Sequence, residues 1–367
     1  MATGGRPLSR PPGPGPGPFR SGGGRPDLTG ALPKVVPRRP VEEMLMKAAV
    51  YYETGGPEVF RYEDVPDPTI SDDEVLVRVE AVSIEGGDTL NRLGGAMTAT
   101  PHIVGYQCAG TVVEAGAAVT GLAVGDRVVT TGLDGSHAEL RAAGPAFCWA
   151  IPDGVSTADA ACVPVPFGTA DDCLFEFGRL QPGETVLVQA GASGVGIAAI
   201  QLAKRAGARV LATASSAARL DRLRDLGLDH GIDYTTVDFV QAVREATEGR
   251  GADVIVDSVG GSTLQKSLLC LAYRGRCVTF GDAGREVPTS LDVSTMRGNN
   301  QTLVGYFLGA ELFLGGRAHA VIARLLDDIA AGRLRVVVDR TFSLEQAGEA
   351  HAYIESRQAF GRVLLIP

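Results

Sequence analysis

The chain has 367 residues, 45% of them hydrophobic and 21% charged, which is ordinary for a soluble folded protein and long enough for two domains with full cores. A formal net charge of −9, with no basic stripe outside residues 1–43, excludes a general nucleic-acid surface, because such a surface needs clustered Lys and Arg to release counterions. Every apolar run is broken by Gly, Arg or Asp before it can span a bilayer, and the six cysteines form no CxxC pair, so a cytoplasmic protein with reduced, buried thiols is expected.

Residues 1–43, rich in Gly, Pro and Arg (GPGPGPGP, SGGGRP), cannot bury a core and are expected to be a disordered tail; they lack the apolar stretch of a secretion signal. Residues 44–165 read mainly as strands and turns. Strand patterns lie at 47–52, 74–83, 110–115 and 127–131, divided by Gly, Pro and Asp.

Residues 166–308 alternate strand and helix. The informative stretch is VLVQAGASGVGIAAIQLAKRAG, in which a buried strand at 185–190 turns through Gly191, Ser193, Gly194 and Gly196 into a packed helix at 195–206. Small residues let the backbone approach a pyrophosphate, and a helix N-terminus meets its negative charge. A strand at 209–214, a helix at 217–226 and an extended piece at 230–234 follow. Next come a strand at 253–257, a helix opened by a Ser262 and Gln265 capping box, and strands at 275–280 and 302–307. Six strands alternating with helices predict a doubly wound parallel sheet of Rossmann type, with its ligand at the carboxyl edge.

The end of the second of these strands bears on cofactor choice. A carboxylate there would hold the ribose 2′-hydroxyl of NADH, but the chain offers Thr213, Ala214, Ser215 and Ser216, with Arg219 one turn on to pair with a 2′-phosphate. NADPH is therefore the expected cofactor. In the remaining segment, 309–367, a strand at 336–341, a helix capped by Ser343 and Gln346 and a strand at 361–366 are expected to rejoin the first domain.

From residue 47 to 367 the chain resembles the zinc-independent quinone oxidoreductases of the medium-chain dehydrogenase/reductase superfamily. The resemblance rests on KAAVYYETGGPEVF, VGYQCAGTVVEAGAAVTGLAVGDRV, AGASGVG with IQLAKRAGARVLATASS, DVIVDSVGG and FGRVLLIP. It implies an α/β protein with a GroES-like β-rich catalytic domain (44–165, completed by 309–367) around a Rossmann domain (166–308), a cofactor in the cleft between them, and a homodimer. It also implies cofactor contacts at Thr169, at Ser193, Gly194, Val195 and Gly196, at Tyr234, and at Ser258 and Gly281.

Zinc-containing relatives carry a GHE segment where this chain has Gly105, Tyr106 and Gln107, and the other ligand positions correspond to Glu85 and Val165. One carboxylate from three positions cannot form the nitrogen and sulfur cage that catalytic zinc prefers, so no metal is expected. The chemistry left to such a cleft is hydride delivery to a quinone or an α,β-unsaturated carbonyl, whose oxyanion needs a hydrogen-bond donor and a proton. The tyrosines that relatives often carry after DTY are Leu90 and Ala96 here. Tyr106 is then the preferred donor and His137 a proton relay, with Glu85 and Asn91 as polar contacts to substrate. Two alternatives stay open: reductive cyclisation of a conjugated biosynthetic intermediate, and NADPH binding without turnover.

Overall fold

The computed structural model describes residues 45–286 and 290–367, so the expected tail at 1–43 lies outside the described residues. Strand β1 (Leu45–Val50) pairs antiparallel with β2 (Arg61–Pro66) as a separate ribbon. β1 stops short of the expected 47–52 because Tyr51 leaves the ribbon and exchanges backbone hydrogen bonds with His102 instead.

The second sheet begins with β3 (Val75–Ser83), which leads into helix α1 (Gly86–Gly94). β4 (Gln107–Ala115), β5 (Arg127–Thr131), β6 (Leu140–Ala143) and β7 (Cys148–Ala150) follow, joined by glycine turns. Helix α2 (Thr157–Ala160) is capped by Ser156, whose hydroxyl accepts from the Asp159 N–H at 3.0 Å. Helix α3 (Pro164–Asp171) opens on a proline, whose missing N–H costs nothing in a first turn, and runs into a π-helical turn at Asp172–Glu176.

The parallel sheet is built from β8 (Thr185–Val188), β9 (Arg209–Ala214), β10 (His230–Asp233), β11 (Ala252–Asp257), β12 (Leu271–Thr279) and β13 (Thr302–Gly305). Its order is β10-β9-β8-β11-β12-β13, every pairing parallel, so the order reverses at β8. β8 is buried along its length: Val186 and Val188 pack on one face and Leu187 on the other, which is why its sequence shows no polar alternation. Helices α4 (Gly194–Arg205) and α5 (Ala217–Arg224) cover the first face; α6 (Phe239–Ala246) and α7 (Gly261–Leu269) cover the second.

α7 corrects one expectation. Its N-cap is Gly260, not Ser262, because Gly260 and Gly261 both take positive φ and Asp257 Oδ1 accepts from the Val259 and Gly260 N–H groups, starting the helix early. Ser262 donates from both its N–H and its hydroxyl to the Glu286 carboxylate, and Gln265 donates to the Ser290 carbonyl.

Short helix α8 (Ser294–Arg297) precedes β13, and helices α9 (Leu308–Leu314) and α10 (Arg317–Ala330) carry the chain back across α3. There the buried Asp171 and Asp172 pair with Arg324 and Arg317 of α10, and Tyr306 donates to Asp172 Oδ2 at 2.8 Å. The chain ends with β14 (Val338–Ser343), helix α11 (Ala347–Glu355) and β15 (Arg362–Ile366). Ser343 and Gln346 form the expected capping box. β15 pairs parallel with β14 and antiparallel with β3, so the last strands join the second sheet in the order β14-β15-β3-β4-β5-β7. Among the described residues no helix is long and apolar enough to cross a membrane.

Candidate active site

A cleft of about 830 Å³ runs along the carboxyl edge of the parallel sheet and is closed on its other side by α1, Tyr106 just ahead of β4 and the segment after α11. Its floor is the turn from β8 into α4. Ser193 caps α4, its hydroxyl accepting from the Gly196 N–H at 3.0 Å. A Cβ on Gly196 would lie 2.4 Å from the Ala190 carbonyl oxygen, and one on Gly191 2.8 Å from the Ala212 Cβ. Only glycine permits this turn, and it leaves a helix N-terminus open to the cleft as a diphosphate requires.

Ser193, Gly194 and Val195 line this floor, while Gly196 is packed behind them and shapes it. Thr169, buried on α3, and Ser258 and Gly281, just beyond β11 and β12, line one end of the cleft. Ser215, Arg219 and Tyr234 line the other end. Arg219 also holds the cleft wall: its guanidinium donates to the Ala359 carbonyl at 2.9 Å and to those of Arg357 and Gln358 at 2.8 and 2.6 Å. Arg222 stacks over the Phe360 ring at 3.6 Å, so α5 grips the 357–360 loop and turns Arg357 toward the cleft.

The strand ends are fixed by a buried polar chain. Ala190 N–H donates to Thr213 Oγ1 at 3.1 Å, Thr213 donates to Gln189 Oε1 at 2.7 Å, Gln189 Nε2 donates to Ser267 Oγ at 3.0 Å, and Ser267 donates to Asp257 Oδ2 at 2.8 Å. Each link satisfies a buried group that would otherwise be costly. Sequence reasoning missed this chain. Its signal is a row of polar residues at the carboxyl ends of otherwise apolar strands.

Tyr106 lines the cleft beside α1. Its backbone N–H donates to Asp88 Oδ1 at 3.1 Å, and its hydroxyl accepts from Asn91 Nδ2 at 3.2 Å, leaving the phenol proton free to donate into the cleft. Burial, with Asp88 beside it, raises the phenol above its ordinary range, so it stays protonated. Asp88 also accepts from the Glu85 N–H at 2.8 Å, which closes the cap of α1 against Tyr106.

Glu85, expected as a polar contact for substrate, is instead committed within the protein. Its carboxylate pairs with buried Arg362, Nη1 to Oε2 at 3.1 Å, and accepts from Gln107 Nε2. Burial pushes Glu85 up to about 7, with the Arg362 charge opposing that rise. Arg362 also donates to Ser83 Oγ at 2.6 Å and the Ile84 carbonyl at 2.6 Å, and its side chain fills the space beside Gly194 where a Cβ would be. Gln107 Oε1 accepts from the Val165 N–H at 3.0 Å. Among the described residues no three His, Cys, Asp or Glu side chains converge as a metal site would need.

His137 does not reach the cleft. It is fully buried behind β1, its Nε2 3.0 Å from His351 Nε2 and its Nδ1 3.3 Å from Ser136 Oγ, and the Phe60 ring packs against both imidazoles. Burial drives it down to about 3, so it is neutral, and it does not line the cleft. The relay expected of His137 is therefore corrected to a core histidine pair.

Across the cleft mouth, Arg285 donates to Thr89 Oγ1 and to Glu355 Oε1, both at 3.2 Å, and fully buried Arg92 pairs with the same carboxylate. The six cysteines are buried and unbridged.

Comparison with known proteins agrees with this architecture. Residues 71–166 match the family described as Alcohol dehydrogenase GroES-like domain, and residues 194–326 the one described as Zinc-binding dehydrogenase. A 2-haloacrylate reductase from a Burkholderia species is 32% identical over 88% of this chain and 99% of its own length. A quinone oxidoreductase from Pseudomonas aeruginosa is 33% identical over 85% of this chain and 97% of its own length. Among solved structures, the Escherichia coli quinone oxidoreductase complexed with NADPH superposes with a TM-score of 0.82 at 27% identity, covering 88% of this chain and all of the other. The Pseudomonas syringae quinone oxidoreductase gives 0.83 at 30% identity over 88% of this chain.

Proposed function

Because the chain belongs to the medium-chain dehydrogenase/reductase superfamily, alongside the quinone oxidoreductases, we propose that this oxidoreductase uses NADPH to reduce a quinone or an α,β-unsaturated carbonyl without zinc. The cofactor region is 166–308, and residues 44–165 with 309–367 supply the acceptor side. The glycine turn fits a dinucleotide, since Ser193, Gly194 and Val195 bring the N-terminus of α4 to the cleft and the glycines allow packing too tight for a Cβ behind it. Ser193, Gly194 and Val195 would hold that diphosphate, with Thr169, Ser258 and Gly281 toward the nicotinamide. Ser215, Tyr234, Arg357 and the donors of Arg219 not spent on carbonyls would face a 2′-phosphate. NADPH supplies a hydride when bound.

The observation that carries the reading is the phenol of Tyr106, half-buried, protonated and oriented by Asn91 at the acceptor end of the cleft. It donates a hydrogen bond to the acceptor oxygen, where negative charge develops. An alkoxide would need a metal to stabilise it. The position where relatives bind one is filled here by Tyr106 and by a Glu85 already neutralised by Arg362. A delocalised acceptor needs no such ion. The edge strand β13 offers backbone groups for pairing across a two-fold axis, which supports a homodimer.

The test is NADPH oxidation at 340 nm by the full chain against quinones, enones, enoyl thioesters and conjugated polyenes, with NADH alongside and metal content measured. Turnover with one acceptor class in metal-free enzyme supports the reading. Dependence on added zinc, or tight NADPH binding with no consumption across the panel, overturns it.

A further inference from the structure

Behind the acceptor end of the cleft lies a second cavity of about 570 Å³. The two cavities share one wall, formed by Thr131, Gly132, Leu133, Phe147 and Phe313. Phe147 comes from the turn before β7 and Phe313 from α9; their rings meet at a centroid distance of 4.8 Å with their planes tilted by 52°. Phe313 is 53% exposed and Leu133 51%, so large apolar side chains stand open to space at the junction.

The second cavity carries apolar side chains from Met46, Ile103, Leu140 and Ala142. Its polar groups are Ser71, Thr131, Arg141 and three carboxylates, Asp73, Glu74 and Asp134. Arg141 is the one cation of the lining, and it is held inward: it is buried, and its guanidinium donates to the Tyr106 carbonyl at 3.0 Å and the Asp134 carbonyl at 2.8 Å. With three carboxylates against one guanidinium, an anionic tail would meet a net negative lining here. An uncharged alkyl chain would cover apolar surface at no electrostatic cost.

We infer that the two cavities form one acceptor site, and that the preferred acceptor is an uncharged, elongated molecule whose carbonyl head lies at Tyr106 and whose unbranched alkyl tail passes the Phe147 and Phe313 rings into the second cavity. The inference rests on the proposed reading of Tyr106 as the group that meets the acceptor oxygen. It deepens that reading by separating alkyl enones and alkyl quinones, which fit, from acceptors with charged tails, which do not. Phe147 and Phe313 are then residues that set specificity, and Ala142, on β6 and beyond the cleft, marks where the tail runs.

The test measures binding rather than turnover, so that it stands apart from the assay of the reaction. Straight-chain 2-alkanones from butanone to 2-decanone are titrated by calorimetry into the full chain, with and without saturating NADP⁺, with octanoate as the anionic control. Affinity is expected to rise about fourfold per methylene, the factor for burying one such group, while octanoate binds no better than butanone. Ala142→Phe, which fills the second cavity, is expected to leave butanone unchanged and to bring 2-decanone down to the affinity of the short members. Phe313→Ala is expected to weaken the long members alone, and gives an independent reading if Ala142→Phe loses its fold. A flat series in the unaltered protein, or the same rise with chain length in both variants, overturns the inference. A rising series in a protein that turns over no acceptor leaves the tail site standing and overturns the proposed reaction instead.

Discussion

Glu85 and Arg362, 277 residues apart in the chain, form a buried ion pair beneath the cleft, and Arg362 reaches from there to the glycine turn that opens α4. The pair joins β3, β15 and the cofactor floor through one guanidinium. Removing one partner leaves a charge uncompensated in the interior, at a cost of about 3–5 kcal/mol. Arg362→Met at pH 8 is expected to lose that much in urea unfolding. The double variant Glu85→Gln with Arg362→Met is expected to recover most of it, because neither charge then remains buried.

Tyr106→Phe removes the phenol proton and keeps the ring that packs against Gly87. Turnover is expected to fall about a hundredfold, within the range for a positioned proton donor, with NADPH affinity unchanged. Full turnover in this variant, measured with the best acceptor of the panel, would remove Tyr106 from the reaction.

Arg219 and Arg357 are expected to act together at the 2′-phosphate. A lost charge-assisted hydrogen bond weakens binding by about 1.5–3 kcal/mol, or roughly ten- to a hundredfold. Arg357→Ala should raise the KM for NADPH by that factor and leave the KM for NADH nearly unchanged. Arg219→Ala should do the same, with an added loss of thermal stability because the 357–360 loop is released. Equal effects on NADPH and NADH would place neither charge at the phosphate.

The histidine pair gives a pH signature. Burial lowers the pKa of both His137 and His351, so below about pH 6.5 the unfolded chain takes up protons that the folded chain refuses. The stabilisation is therefore present above that pH and is lost as pH falls toward about 3 for His137. Glu85 and Asp88 act in the opposite direction: burial raises them to about 7 and about 8, so the folded state gains protons over part of the same range. Comparing each protein between pH 7.5 and pH 5.5 isolates the pair. His137→Gln should lose less on acidification than the unaltered protein, by about 1.4 kcal/mol per histidine no longer titrating. An identical loss would mean that the pair is not neutral in the folded state.

What the sequence made legible follows from local chemistry. The apolar runs at β8, β9 and β11 and the glycine turn before α4 declare themselves within a dozen residues, and the capping box at Ser343 within four. Ser262 followed by Gln265 carries the same signature, yet Asp257 and two glycines start the helix ahead of it. His137 follows a Gly-Ser turn, which suggests an exposed loop, while the residue that buries it is 214 positions away. Arg219, one turn past β9, is the charge that the sequence offers to a 2′-phosphate, but the carbonyls that it binds belong to a loop 138 to 140 positions on. Residue type and spacing report the elements. Partners brought together by the return of the chain decide what each polar side chain does.

The place of β15 in the second sheet bears on how the protein is made. Thr185 to Gly305 contains every strand of the parallel sheet, so that sheet has its full complement while the rest of the chain is still on the ribosome. The second sheet does not: β3 waits for β15, and Ser83 waits for a guanidinium 279 residues later. Until Arg362 emerges, Glu85 has no countercharge. The side of the cleft built on β3 is therefore completed only once β15 has emerged, onto a parallel sheet that can already be assembled, and a chain stalled before Arg362 would hold the glycine turn with no finished wall beside it.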